Sequence, residues 1–517
     1  MNKERTYSLF LISPRQQYIN YPAHSELAKI MGKKRFMIPL ALPTLAALTP
    51  DHYDIRIVDE EIEALPKKTI PDIVGITTLA ATIKRAYELG DWYRSKGTKV
   101  IFGGAYASFM TDEGLEHCDA VVVGEAEGLW EKCLDDFEKG DLQQIYRSDE
   151  ATSYLKNKIP RWDLVDMNKI FQVAIQVSRG CPFNCEFCLV SKIFGRKMRY
   201  REIEDVVAEI KAAPVKYIFF VDDNLTINKK YAKELMVAIK PLGISWGCMC
   251  SIDVANDTEL LHLMAEAGCF NILLGFESLN PASLDETHKL HNKAATIYEP
   301  AIRKIHAEGM HINASFVVGF DNDTIKEFDN IFDFAMKTGM PNVNLHILAA
   351  PPGSDIYHKY AEEGRLIYCN SELGVGHFPT LHYMNMSQIE LFDAYMKTIE
   401  RLYSFDTIYR KAVQLFSDGS FKKPGGDIPG LLKMRLSWIT FKEFVLTTDK
   451  VKRKLFFFIF NLILSKKVAI DKGLGFLLSM LGYHRHVEIH KKNMAAYRKM
   501  VLEQDEGPWC EKLKNNE

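Results

Sequence analysis

The sequence predicts an α/β chain in three parts: a doubly wound parallel sheet, a partial (βα)6 barrel of the TIM type, and a mostly helical extension. Three observations carry this reading. Short β-rich runs alternate with helical patterns over the first 150 residues, six βα-like periods follow, and beyond residue 370 the pattern is mainly helical. The chain has 517 residues, 47% apolar and 26% charged. That is ordinary globular composition with enough length for several cores, which excludes a disordered chain or a disulfide-stapled mini-protein.

In the first part, residues 1–150, the strands are expected at 7–13, 53–59, 72–79, 99–103 and 119–123, with a helix at 82–96. Gly103, Gly104 and Gly124 directly follow strands. In doubly wound sheets ligands bind at the carboxyl ends of the strands, and glycine there lets a backbone approach a large ligand; the plain alternative is a turn. Residues 151–170 read as a linker. The second part, 171–370, has expected strands at 173–177, 217–221, 245–251, 271–276, 313–318 and 343–348. Helical patterns lie between them at 202–212, 229–240, 257–267, 296–308 and 324–338. Six repeats are too few to close an eight-stranded barrel, so the barrel is open, with its site at the carboxyl mouth. The third part, 371–517, is helical and broken by Pro424-Gly425-Gly426 and Pro429-Gly430.

The formal net charge of −2 argues against nucleic acid as a partner. Charge is uneven, however: residues 451–500 hold 11 basic and 2 acidic residues. The same window contains LFFFIFNLIL at 455–464, about half the length that spans a bilayer. It reads either as a buried core helix with solvated basic ends or as an interfacial segment on an anionic membrane. The first residues, MNKERTYSLFLIS, carry no long apolar stretch of the secretory kind. A cytoplasmic protein with reduced thiols is expected, its sharper variant being peripheral at the inner membrane face. Ten cysteines are too sparse for a disulfide framework and read as ligands or buried thiols.

The strongest chemical signal is Arg179-Gly180-Cys181-Pro182-Phe183-Asn184-Cys185-Glu186-Phe187-Cys188. The spacing C-x3-C-x2-C, just after an expected strand, wraps one loop around one centre. Three thiolates on a four-iron cluster leave one iron open to a small molecule. A zinc site would need a fourth ligand and usually pairs C-x2-C knuckles, and no second matching pair is present. Cys248 and Cys250 flank Met249 on one face of an expected strand and read as small buried hydrophobes.

The loop resembles the signature of radical S-adenosylmethionine (SAM) enzymes. The resemblance implies a [4Fe-4S] cluster held by Cys181, Cys185 and Cys188, with SAM on the open iron and Phe187 near its adenine. Asp222 and Asp223, at the end of the second barrel strand, fall where the family contacts the SAM amino group; a helix cap or turn is their structural alternative. Gly275-Phe276-Glu277-Ser278 is similar to the family's G-I-E-S run and makes Glu277 a SAM contact. Val318-Gly319-Phe320 resembles the glycine motif passing the adenine, so Gly319 joins the set. Ser315 and Asn313 share its strand face, and His346 sits similarly on the sixth strand, though a lone histidine is more often a satisfied core residue.

The series Pro39 to Pro50, Ile57-Val58-Asp59-Glu60, Val74 to Thr78, Gly103 to Tyr106 and Val123 to Glu127 resembles the Rossmann-like cobalamin-binding domain that precedes many radical SAM domains. Thr77, Gly103, Gly104, Gly124 and Glu125 are the implied cobalamin contacts. There is no D-x-H-x-x-G motif, and Tyr106 stands where relatives often carry His, so no lower axial ligand is offered. Pro351-Pro352-Gly353-Ser354, Glu363-Gly364-Arg365-Leu366 and the helical extension are similar to the hopanoid C-2 methylase-like family. This resemblance implies C-methylation of an unactivated sp3 carbon of a lipid or isoprenoid-type substrate through a 5′-deoxyadenosyl radical and methylcobalamin. An electron donor such as flavodoxin or ferredoxin is implied with it. The alternatives are carbon–carbon bond or ring formation on a lipid, porphyrin cyclase-like oxidation, and a cofactor-binding sensor without catalysis.

Overall fold

The computed structural model describes residues 6–16, 24–148, 158–289, 297–367, 376–416, 421 and 430–503. The first sheet has six parallel strands: β1 (Tyr7–Ser13), β2 (Tyr53–Asp59), β3 (Ile73–Thr77), β4 (Lys99–Gly103), β5 (Ala120–Val122) and β6 (Ile145–Tyr146), in the order β2-β1-β3-β4-β5-β6. The order reverses between β1 and β3, which opens a crevice at their carboxyl ends. β3 stops at Thr77 because Thr78 turns: its amide and its hydroxyl both donate to the Gly103 carbonyl, at 2.7 and 2.9 Å. The two-residue β6 was not expected from the sequence, being too short to show a period.

One face of this sheet buries Phe10, Val74 and Phe102 under the helix Ile83–Arg94, which contributes Ile83, Leu89 and Tyr93 to the same core. The other face joins a core that continues into the barrel. Residues 158–170, expected as linker, lie packed here: Trp162 is buried and the Arg161 amide donates to the Pro43 carbonyl at 2.9 Å.

The barrel strands are β7 (Val173–Ile175), β10 (Tyr217–Phe220), β11 (Ser245–Cys250), β12 (Cys269–Glu277), β13 (His311–Val318) and β14 (Asn342–Ile347), and β8 (Ser178–Arg179) with β9 (Arg199–Tyr200) forms an antiparallel hairpin beside them. All six pair in parallel in sequence order, an open partial barrel. Helices Ile203–Ala212, Lys229–Ile239, Thr258–Glu266, Tyr298–Ala307 and Lys326–Thr338 cover its outside. Their starts follow capping chemistry: the Asn228 and Asp257 side chains accept from the Tyr231 and Leu260 amides.

The extension contributes the helices Gln388–Leu402, Phe405–Phe416, Gly430–Phe444, Lys450–Leu464 and Ile470–Glu503. The breaker Pro424-Gly425-Gly426 lies outside the described residues, as does Pro429. The apolar run 455–464 forms one amphipathic helix, capped by Asp449, with Leu455 and Ile459 buried and Phe457, Phe460 and Leu464 exposed. Among the described residues no helix is long and apolar enough to cross a membrane.

Candidate active site

The cysteine loop is launched by Gly180, whose φ of +95° and a Lys197 carbonyl oxygen 2.4 Å from any added Cβ admit only glycine. The Cys181 amide donates to the Gly195 carbonyl, and that of Cys188 to the Cys185 carbonyl. All three thiols are partly buried. Burial pushes Cys185 up to about 12 and Cys188 up to about 11, and Cys181 in the same direction. The electrostatics of these thiols place Asp223, Glu277 and Lys289 around them.

The fold separates the two neighbouring aspartates. Asp222 is fully buried, and its carboxylate accepts from the Val177 amide at 3.1 Å and the Ser178 hydroxyl at 2.6 Å. It thus fastens the end of β7 to that of β10 and is turned away from the mouth. Asp223 faces the thiols, and burial raises it to about 6.

Glu277 sits after a register shift between β12 and β13, with φ +61°. A bulge and a left-handed non-glycine residue at a strand end are devices that re-aim a side chain. Its carboxylate pairs with Lys289, which also donates to the Gly275 carbonyl at 2.8 Å. Ser315 is the register partner of Gly275. Gly319 has φ +129° and Tyr383 carbons 2.8–3.0 Å from an added Cβ, and its amide donates to Asp323. Phe187 and Phe320 have ring centroids 6.3 Å apart, so Phe187 and the Gly319 turn adjoin. Asn313 is committed to Asn344, its Oδ1 accepting at 3.0 Å. His346 is held down by burial and feels Glu277. Met249 faces the barrel interior while Cys248 and Cys250 lie on the opposite, buried side.

The carboxyl end of the first sheet is turned to this loop. Thr77 and Gly103 are register partners, and Gly104 at φ +105° has the Thr78 carbonyl 2.7 Å from an added Cβ. Gly124, at φ +80°, has open space around it and donates its amide to the Ser108 hydroxyl. The Glu125 carboxylate is engaged by Arg179 at 2.6 Å and by Arg199, both on the cysteine hairpin, and Arg179 also grips Glu127 at 2.6 Å. Glu125 therefore ties the two parts together through its side chain. Tyr106 is buried, its hydroxyl 3.4 Å from Glu113, and presents nothing to a ligand. Phe109 fills the space left by the missing side chain of Gly353, which explains that glycine in Pro351-Pro352-Gly353-Ser354.

The donor set fits the implied groups. Among the described residues no three His, Cys, Asp or Glu side chains close around a single ion, whereas a cubane takes each thiolate on a different iron and so needs a wider triangle. Sequence reasoning did not find Lys289, Arg179 or Arg199. Arg179 precedes the cysteine motif by two positions, but nothing local announces its partners 52 and 54 residues earlier.

Residues 175–335 match the family model of the Radical SAM superfamily. Bacteriochlorophyllide d C-8(2)-methyltransferase of Chlorobaculum tepidum is 31% identical over 347 residues, covering 63% of this chain and 76% of that protein. Hopanoid C-2 methylase of Rhodopseudomonas palustris is 27% identical over 369 residues, 68% of each chain. The solved structure of the cobalamin-dependent SAM radical enzyme OxsB with aqua-cobalamin and SAM superposes with a TM-score of 0.59 at 15% identity, covering 98% of this chain and 84% of that one. The chain belongs to the cobalamin-dependent radical SAM enzymes.

Proposed function

We propose that this enzyme C-methylates an unactivated sp3 carbon of a lipid or isoprenoid-type substrate. Such a carbon has no acidic proton for a general base, so radical chemistry suits it. When bound, the cluster and SAM supply the hydrogen-abstracting radical and cobalamin supplies the methyl group. In this reading Cys181, Cys185 and Cys188 hold the cluster. Asp223 and Glu277 orient SAM at the mouth, Lys289 balancing the Glu277 charge, and Phe187, Ser315 and Gly319 shape its pocket. Asp222 acts at one remove by fixing the strand ends. Thr77, Gly103, Gly104 and Gly124 form the floor for cobalamin, and Glu125 acts as the tie to the hairpin. The observation that carries the reading is the Glu125–Arg179–Arg199 cluster, which turns the glycine-lined sheet end onto the cysteine loop. Methyl and radical donors would then meet one substrate.

The same proposal includes a peripheral membrane contact through the helices Gly430–Phe444 and Lys450–Leu464, whose exposed Trp438 and Phe457 lie among exposed lysines. A tetrapyrrole is the second substrate reading, favoured by the 31% identical bacteriochlorophyllide methyltransferase.

The test is anaerobic. The protein is reconstituted with iron, sulfide and cobalamin, then given SAM, reductant and either a lipid extract or a chlorophyllide. Deoxyadenosine and S-adenosylhomocysteine rising together with lipid is the expected result. The same rise with the chlorophyllide alone moves the assignment to tetrapyrroles. Deoxyadenosine without S-adenosylhomocysteine replaces methylation by bond formation, and neither product leaves a sensor.

A further inference from the structure

A cavity of about 1040 Å³, partly open to solvent, lies at the end of the barrel opposite the cysteine loop, between the strand starts, residues 25–37 and the helix Ile470–Glu503. Its rim residues Tyr217, Ser245, His311 and Asn342 open β10, β11, β13 and β14. Asp223, Glu277 and Gly319 stand where those strands and their neighbours finish. Farther in, Phe219, Met249 and Leu273 line an apolar tier, and beyond it Gly275, having no side chain, leaves its space to the Glu277 carboxylate and the Lys289 ammonium. Leu436, Leu474 and Leu478 close the outer wall from the helices Gly430–Phe444 and Ile470–Glu503.

The lining of this chamber is also polar: Lys33, Lys34 and Arg35 contribute to it, and so do residues at the starts of β12 and β13. Asn271 and His311 are register partners on β12 and β13. Asn271 Oδ1 and His311 Nδ1 are buried and have no hydrogen-bond partner among the described residues. Beside them Lys472 is 6% exposed and donates to the Gly309 carbonyl at 2.9 Å. Burial holds His311 neutral and pushes the Lys472 ammonium down. A buried acceptor and a neutral imidazole without partners, next to an ammonium, ask for a group that both donates and accepts. A hydroxyl does both; a carboxylate leaves Asn271 Oδ1 unpaired.

We infer that this chamber binds an amphipathic molecule bearing a hydroxyl head, with the head at Asn271, His311 and Lys472 and the hydrocarbon body directed along the barrel axis toward the cysteine loop. From Asn271 to Glu277 the strand rises about 20 Å, so a substrate of isoprenoid length held by its head at one end brings an interior carbon to the other. The proposal rests on the carboxyl mouth being the reaction site, but it concerns binding, which needs no turnover.

The test is calorimetric titration of the full-length protein with three probes: 1-decanol, decyl methyl ether and decanoate. Decanol is expected to bind at least tenfold more tightly than the ether, which cannot donate. Asn271→Leu, which removes the acceptor that only the alcohol can use, is expected to bring decanol down to the ether's affinity, and Leu273→Trp, which fills the tier, to abolish binding of both. Thermal melts and the absorbance of bound cobalamin confirm that each variant is folded; should Leu273→Trp not fold, Phe219→Ala supplies the second variant, with a predicted loss of at least fivefold. Equal affinity for decanol and ether, tighter binding of decanoate, or no binding by the wild type overturns the proposal. If decanol binds as expected while lipid gives no S-adenosylhomocysteine, the chamber stands and the methylation reading falls; the reverse pair of results removes the chamber alone.

Discussion

Asp222 and Asp223 carry the same group at adjacent positions, and the fold gives them opposite tasks. Asp222 is 0% exposed and meets the donors at the end of β7, so Asp222→Ala strands buried N–H and O–H groups. A loss of about 3 kcal/mol is expected, read as a lower denaturation midpoint. Asp223→Asn keeps the shape and removes a charge that faces the thiols. It is expected to leave the melting temperature within a degree or two and to weaken SAM binding at least tenfold in equilibrium dialysis. Unchanged SAM affinity would take Asp223 out of the pocket. The sequence placed both carboxylates at the strand end, but alternation there is lost as the strand turns. Which side chain points out is decided by the Val177 amide and the Ser178 hydroxyl just beyond β7, 44–45 residues away in the chain. The same limit applies to Glu125, whose position was legible and whose partners Arg179 and Arg199 were not.

At the scale of elements, β1, β3, β4 and β5 were legible as apolar runs, and β13 and β14 as apolar residues alternating with polar ones. What escaped was short or amphipathic: β6, the β8–β9 hairpin, and the role of the long helix Ile470–Glu503. That helix is about 50 Å long, and its polar and apolar residues face several neighbours in turn, so no single stripe identifies its inner side. Its buried polar residues are legible only in the fold. His490 and His486 have their Nε2 atoms 2.9 Å apart, and His377 contacts the Tyr395 hydroxyl at 2.7 Å nearby. Burial pushes His490 down to about 4. Its unfolded value is near 6.5, so the unfolded chain binds the proton first as pH falls. Stability is full above pH 6.5 and is lost progressively down to about pH 4. Chemical denaturation is expected to show about 2 kcal/mol less stability at pH 5 than at pH 7.5 from this residue. His490→Asn should flatten that part of the profile, and an unaltered slope would assign the pH dependence elsewhere.

At the scale of the whole molecule, one helix, Gly430–Phe444, links the chamber to the exposed aromatics and the basic window. Leu436 lines the chamber from the same helix whose Met434, Trp438 and Phe441 face solvent. Those three positions are spaced four and three apart and so share a face, and Phe457, Phe460 and Leu464 do the same on the next helix. The two helices touch, and Lys442, Lys450, Lys454, Lys466 and Lys467 are exposed on or beside them. An apolar face with a cationic surround is the pattern of an interfacial helix pair on an anionic bilayer, each basic residue near the surface contributing about 1 kcal/mol. A substrate leaving that bilayer head-last would meet the chamber before the cysteine loop. Full-length protein is therefore expected to sediment with phosphatidylglycerol vesicles and much less with phosphatidylcholine vesicles, the difference shrinking in high salt. Trp438→Glu with Phe457→Glu should weaken sedimentation at least tenfold while bound cobalamin absorbance is retained, because neither side chain belongs to the core. Equal binding to both vesicle types, or a double variant that sediments like the wild type, would mean that these aromatics serve another contact and that the substrate reaches the chamber from solution.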